Sequence, residues 1–549
     1  MHSSSRSLAR WLSAALFGLA AMPAAADPTI RFELPDGTTV SDVATIVARA
    51  VSPDDAGIDK VEFMVDGQLA ATDTSTPYSF DWDTLSTTEG EHVISATAFD
   101  AKGRTATARI TLRVDNELAK GADFHAQGAL AALKGGDPDR AAKLARRALK
   151  IAPDNLLAAR ALAGIHRQRR ELAQAIAVLE KASIPESDAD ARAELAALYI
   201  AHAAEAPSTG AFLELAGKAV EQHRSVLAVR QAAVAPSGDP AADALRLGDA
   251  RFAARNWVGA LAAYQKCGLG DDAPIHCANR VLLAYIQNGR IRDALSFVGT
   301  LTRRRGADEV TRALHALVLL NDHQPAKARD MVQDGIASDV LPSLIVASYA
   351  DLALRDRRRA REEADRAARI APDLPEVLLL RAFVQADPID AQKLVLRALE
   401  KDPLFAEAYA VRDFQMMGGQ GSRRFAIAGQ FLEFALKIDP KSGYALMGTA
   451  LALMAQRRPH EAEPLLAQLM VQEPNAPDAL VAMATCQSLL GRTLRINDLL
   501  ARALKIDPER WNDALVPEPV DLIRRVYLYR HPHFVSPAAL YPRPVAAQR

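Results

Sequence analysis

The chain has 549 residues, and its 66 lysines and arginines are balanced by 67 aspartates and glutamates. That balance supplies no global field to steer the molecule toward nucleic acid, anionic lipid or an acidic substrate. Three cysteines in so long a chain cannot form a disulfide framework, and the length permits several domains or one extended repeat array.

The first segment has the pattern of a targeting signal. Arg6 and Arg10 precede an apolar run from Trp11 to Met22, and Ala24, Ala25 and Ala26 supply the small residues of a cleavage site. Residues 1–26 are therefore expected to be a signal peptide removed before Asp27. The apolar run is too short for a stable anchor, and no later stretch approaches the roughly 20 apolar residues that a membrane span requires. No cysteine stands near the cleavage site to carry a lipid. The sequence predicts an exported bacterial-type protein, periplasmic or secreted, without membrane insertion.

Residues 27–117 have the alternation of β-strands. Tyr78, Phe80 and Trp82 alternate with Ser79, Asp81 and Asp83, and Ala106, Ala108, Ile110, Leu112 and Val114 alternate with polar neighbours. Val61 to Val65 runs into Asp66-Gly67, a dipeptide suited to a two-residue hairpin turn, and Gln68 to Ala71 returns. About seven short strands separated by turn signals predict a sandwich. The order VEFMVDGQLAATDTSTPYSFDWDT followed by EHVISATAFDAKGRTATARITLRV resembles bacterial immunoglobulin-like domains. Such a resemblance implies a spacer or binding module, with glycan a possible ligand. Asp81, Asp83 and Asp100 are hard oxygen donors near strand ends, but their spacing matches no dedicated calcium loop, so no metal is expected.

From Leu118 to about residue 510 the composition shifts to alanine, leucine and arginine with helical spacing. Ala141 to Ala175 is 34 residues, as are Ala260 to Ala294, Ala294 to Ala328, Pro440 to Pro474 and Pro474 to Pro508. Pro372 to Pro403 is shorter and Pro403 to Pro440 longer, and together they restore two periods. The clearest unit, Ala244 to Cys267, has Leu247-Gly248 in its first helix, Ala260 at the crossing and Tyr264 at the large-residue site of the second. These features resemble tetratricopeptide (TPR) repeats, whose period is ~34 residues. The predicted fold is an α-solenoid of about ten or eleven TPR-like helical hairpins, preceded by a small all-β immunoglobulin-like sandwich. Cys267 and Cys277 lie at facing helix ends and read equally as a local bridge or as two small buried residues, while Cys486 reads as a buried free thiol.

No active-site motif stands out. There is no phosphate loop opening a helix, no zinc-spaced histidine pair and no nucleophile elbow, so neither catalysis nor a cofactor is expected. Gly418, Gly419, Gln420 and Gly421 fall at a repeat turn. The arginine runs 303–305 and 357–359 fall at helix junctions without stacking aromatics, which argues against nucleic acid. His531 and His533 lack further ligands nearby.

The TPR resemblance implies a protein or peptide partner held on the surface formed by the first helices. That stripe maps to Leu245, Phe252, His276, Asn279, Ile286, Ile345, Tyr349, Met417, Tyr444 and Met447. The lysine and asparagine pattern that clamps a C-terminal carboxylate in some relatives is missing. The function expected is a non-enzymatic scaffold or adaptor, the alternative being an accessory of polysaccharide export or cell-surface attachment. Residues 511–549 combine aromatics with prolines. They predict a capping helix near Val520 to Tyr529 followed by an extended Pro-rich stretch across the array.

Overall fold

The computed structural model describes residues 27–542 except 54–56, 235, 268–273, 306, 413–421, 509, 512–515 and 527–532. Residues 1–26, expected to be a signal peptide, Met417, Gly418 to Gly421, expected to be a repeat turn, and His531 lie outside the described residues, as do the side chains of Arg304 and Arg305. The chain divides into two compact units, residues 1–165 and 166–549.

The first unit contains the sandwich. Its strands are β1 (Thr29–Phe32), β2 (Thr39–Val40), β3 (Val43–Val51), β4 (Ile58–Val65), β5 (Gln68–Asp73), β6 (Tyr78–Asp83), β7 (Gly90–Asp100) and β8 (Thr105–Val114). One sheet has the order β1-β3-β6 and the other β2-β8-β7-β4-β5. β2 runs parallel to β8, with Thr39 opposite Arg113, and the other pairs are antiparallel. Period-two alternation sends Ile46, Phe63, Trp82, Ile94 and Leu112 inward from both sheets, where they bury one another. The β4–β5 turn is made by Asp66 and Gly67, both in the left-handed region at φ 50° and 81°.

The first helical hairpin, Ala122–Lys134 and Pro138–Ile151, belongs to this unit. Arg147 reaches back to Asp42 with two hydrogen bonds, Nε to Oδ1 at 2.8 Å and an amino nitrogen to Oδ2 at 2.7 Å. Asn116 accepts the Asp42 N–H at 2.7 Å, and Arg146 pairs with Asp83 at 2.6 Å. A charge as deeply buried as Asp42 needs such partners, because desolvation would otherwise push it out.

The second unit is a solenoid-like series of helical hairpins, and its period is written in the backbone. Arg255, Gly289 and His323 follow one another at 34-residue intervals with φ 59°, 71° and 59°, and Arg457 and Gly491 repeat the interval with φ 62° and 73°. Each stands just past the end of a first helix. In each the next residue's N–H returns to the helix, as from Asn256 to the Arg251 carbonyl and from Gln324 to Leu319. The same left-handed stop therefore turns each hairpin. At the second-helix crossing Ala260, Ala294 and Ala328 are fully buried. Gly248 admits Tyr264 so closely that a Cβ there would stand 2.2 Å from the ring.

Distant hairpins of this unit also meet. Helix Ala189–Ala203 packs on helix Pro388–Lys401, and Phe212 lies 5.3 Å from Phe431. Arg255 pairs with Asp402 at 2.6 Å and donates to the Leu404 carbonyl at 3.1 Å, while Asn475 donates to Asp322 at 3.5 Å. The array curls until separate repeats close on each other. Cys267 and Cys277 are disulfide-bonded, with Cα atoms 6.0 Å apart, and Cys486 is a buried free thiol. Among the described residues no helix is long and apolar enough to cross a membrane.

Candidate protein-interaction site

The first helices of four hairpins supply the stripe expected from the repeat register. Phe252 ends helix Pro240–Ala253. His276, Asn279 and Ile286 lie on helix Ile275–Gln287, Tyr349 on helix Leu341–Ala353, and Tyr444 on helix Gly443–Ala455. The structure brings these side chains onto one wall, and it places the chain's own residues 533–541 against them.

Phe534 is the centre of this contact. Its ring sits 5.1 Å from Phe405, 6.2 Å from Phe252 and 6.5 Å from Trp257, and the Arg255 guanidinium lies 5.0 Å from its centroid. The Arg255–Asp402 pair fixes that guanidinium, so the cation is held over the aromatic face at little further entropic cost. Phe534 and Val535 are buried. The Ser536 N–H donates to Glu376 Oε1 at 2.9 Å. Helix Pro537–Leu540 packs on helix Leu341–Ala353 and buries Ala539 and Leu540.

Farther along the wall, Asn279 Nδ2 donates to the Tyr541 hydroxyl at 2.9 Å, while its Oδ1 accepts from Thr311 at 2.8 Å. Thr311 therefore orients the amide, which is fully buried. Arg280 lies 5.5 Å from the Tyr541 ring and is anchored by Asp249 at 2.8 Å, and His276 meets the ring edge-on at 6.4 Å. Upstream, His533 meets Tyr349 edge-on at 5.5 Å. The segment thus offers two aromatics, each beside an arginine that a wall carboxylate holds in place.

Leu245 packs against the cluster of Ala244, Cys267 and Cys277, and Ile345 and Met447 are fully buried in the helical core. Arg255, Asp402, Phe405 and Glu376 were not read from the sequence. Arg255 is a turn residue, and its partner lies 147 positions away.

A cavity of about 640 Å³ adjoins the segment, lined in part by Ile286, Glu407, Asp439, Tyr444, His533 and Phe534. Burial and the neighbouring Asp439 push the Glu407 carboxyl up to about 7, and burial raises Asp439 as well. Glu376 is raised by burial, which the hydrogen bond from Ser536 partly offsets. These acids retain protons above the usual carboxylate range, as groups under an apolar cover do. Residues 519–526 form a helix packed on helices Gly443–Ala455 and Pro477–Leu489, and Thr485 donates to the Pro517 carbonyl at 3.1 Å.

Elsewhere the charged candidates are occupied by local partners. Asp81 accepts from Thr45 at 2.6 Å, Asp83 pairs with Arg146, and Asp100 pairs with Arg104 at 2.6 Å. Arg357 donates to the Phe383 and Gln385 carbonyls, Arg358 pairs with Glu362, and Arg359 pairs with Asp356. Among the described residues no group of three or more His, Cys, Asp or Glu is placed to hold a metal ion.

Comparisons with known proteins bear on each part. No curated protein is a significant match to the chain. Fibronectin(III)-like modules of Clostridium thermocellum CbhA are 28% identical over 16% of this chain and 47% of theirs, with a TM-score of 0.15. The chain therefore spans about half the length of that first structural relative. The APC/C hetero-tetramer Cut9-Hcn1 is 14% identical over 74% of this chain and 96% of its own, with a TM-score of 0.38. The endo-beta-1,4-mannanase from Thermotoga petrophila is 20% identical over 16% and 20%, with a TM-score of 0.15. Residues 28–96 match the family model of a bacterial Ig domain.

Proposed function

We propose that this protein is an exported, non-catalytic scaffold whose helical array recognises an extended segment of a partner protein on the wall built by its first helices. The observation that carries this reading is the aromatic seat of Phe534. Phe252, Trp257, Phe405 and Arg255 surround a side chain delivered by the non-helical residues 533–536, as a peptide's anchor residue would be delivered. Export is supported by the basic, apolar and small-residue order of residues 1–26 and by the Cys267–Cys277 bond, which an oxidising compartment sustains. The sandwich supports a spacer role, because Tyr78 and Trp82 are buried in its interior.

Selection of random linear peptides on the immobilised full chain tests the wall. Enriched peptides should carry an aromatic residue and lose binding when Asn279→Ala is introduced. Peptides that bind the Asn279→Ala chain equally well, or none enriched at all, would remove the wall from consideration.

A further inference from the structure

Residues 533–541 pack on the wall by a route that the repeats themselves do not supply. We infer that this segment is a built-in occupant that a partner must displace, and that the partner offers the same chemistry. That chemistry is an aromatic residue, a free N–H two residues later, one short helical turn and a tyrosine seven residues after the aromatic. The inference rests on the peptide-recognition reading above and adds its regulation.

Each element of this recognition pattern has its own receptor. The aromatic enters the seat at Phe405 under Arg255, 5.1 Å and 5.0 Å from the two. The N–H, supplied here by Ser536, meets Glu376 at 2.9 Å, which excludes proline at that position of the ligand. The tyrosine hydroxyl accepts from Asn279 at 2.9 Å, and its ring lies beside Arg280. Asn279 and Glu376 are fully or almost fully buried, so each is satisfied in this arrangement by a ligand made of main chain or hydroxyl. Phe534, Val535, Ala539 and Leu540 are buried, whereas Tyr541 at the far end remains 39% exposed, so displacement begins at Tyr541.

A segment tethered in cis competes with any partner in trans and lowers its apparent affinity by the fraction of time the wall is covered. The test uses a fluorescein-labelled decapeptide with the sequence of residues 533–542, titrated by anisotropy against the full chain and two variants. Phe534→Ala weakens the anchor, and Ser536→Pro removes the donated N–H; neither alters a wall residue. The expected result is at least about tenfold tighter binding to both variants than to the unaltered chain, with helical circular dichroism preserved. A decapeptide lacking the aromatic should bind none of them. Equal binding to all three chains would overturn the inference while leaving peptide recognition intact. Binding to none, with native dichroism, would overturn both. Loss of helicity in both variants would show that residues 533–541 belong to the core, and would likewise overturn the inference.

Discussion

The sandwich and the helical array solve opposite electrostatic problems. In the sandwich, Asp66 and Asp73 are held below the ordinary carboxylate range. The hydrogen bond from His92 lowers Asp66, and the Ser79 and Ser75 N–H groups lower Asp73. In the array the interior acids are raised, Glu363 to about 7 by burial and the nearby Asp351, and Glu407 to about 7 by burial and Asp439. The sandwich places these two acids in a turn and at a strand end, where backbone donors are within reach. The array places its own on helices, whose backbone donors are already engaged, and then covers them with other helices or with residues 533–541. A closed β-core is finished by its own strands, whereas stacked hairpins bury their flanks and still leave a wall that something else must complete.

The largest expected effect that sharpens this contrast is on the first unit. Arg147→Ala should leave Asp42 buried and unpaired, costing about 3–5 kcal/mol. Hydrogen exchange should rise in β3, β6 and helix Pro138–Ile151, with helices after residue 166 unaffected. Next, Gly248→Ala places a methyl 2.2 Å from the Tyr264 ring and should destabilise the second unit by about 1–3 kcal/mol, read as a lower thermal midpoint with unchanged exchange in the sandwich.

The named carboxylates of the two units should also respond to pH with opposite sign. Asp66 and Asp73 have folded pKa values below their unfolded ones, so their stabilisation is present above about 4 and is lost as the pH falls through the folded values. Glu363 and Glu407 are raised from 4.5 to about 7, so the folded array binds more protons than the unfolded chain in that window and loses stability as the pH rises through it. Between pH 4.5 and 7.5 these two glutamates should therefore contribute falling stability in the array, against a rising contribution from the lowered His223, His276 and His315, and chemical denaturation of Glu407→Gln should show the falling part reduced. A slope unchanged in Glu407→Gln would remove Glu407 as its source. The smallest effect is that of Tyr541→Phe, which deletes one hydrogen bond at a part-exposed site and should weaken docking of the segment by about 1 kcal/mol or less. Local exchange at Leu540 and its neighbours would register it.

Much of the architecture was legible because it depends on residue size at fixed intervals. Alanine at 260, 294 and 328 marks the crossing, and the alternation from Tyr78 to Trp82 marks a sandwich strand. The hairpin stops were harder to see. Arginine or histidine occupies the left-handed position at 170, 255, 323, 355 and 457, where a scan for glycine finds Gly136, Gly289 and Gly491 alone among the described hairpin stops. Phe252, Asn279 and Tyr349 could be placed on the wall by helical register alone. Register cannot distinguish a residue facing a ligand from one facing the next helix. Arg255 and Phe405 become neighbours only when the array curls, and local periodicity carries no information on that closure. The apolar content after Pro508 did signal a need for cover. It gave no sign that residues 533–541 would lie on the wall assigned to a partner.

The most direct test of the account is hydrogen exchange across the full chain with and without a saturating amount of the decapeptide spanning residues 533–542. If the wall is a peptide-reading surface covered in cis, amides in residues 533–541 of the protein should lose protection on binding. Helices Ile275–Gln287 and Leu341–Ala353 should keep theirs. If the peptide binds while residues 533–541 stay protected, or if the change in exchange falls on the sandwich strands, the central claim is contradicted.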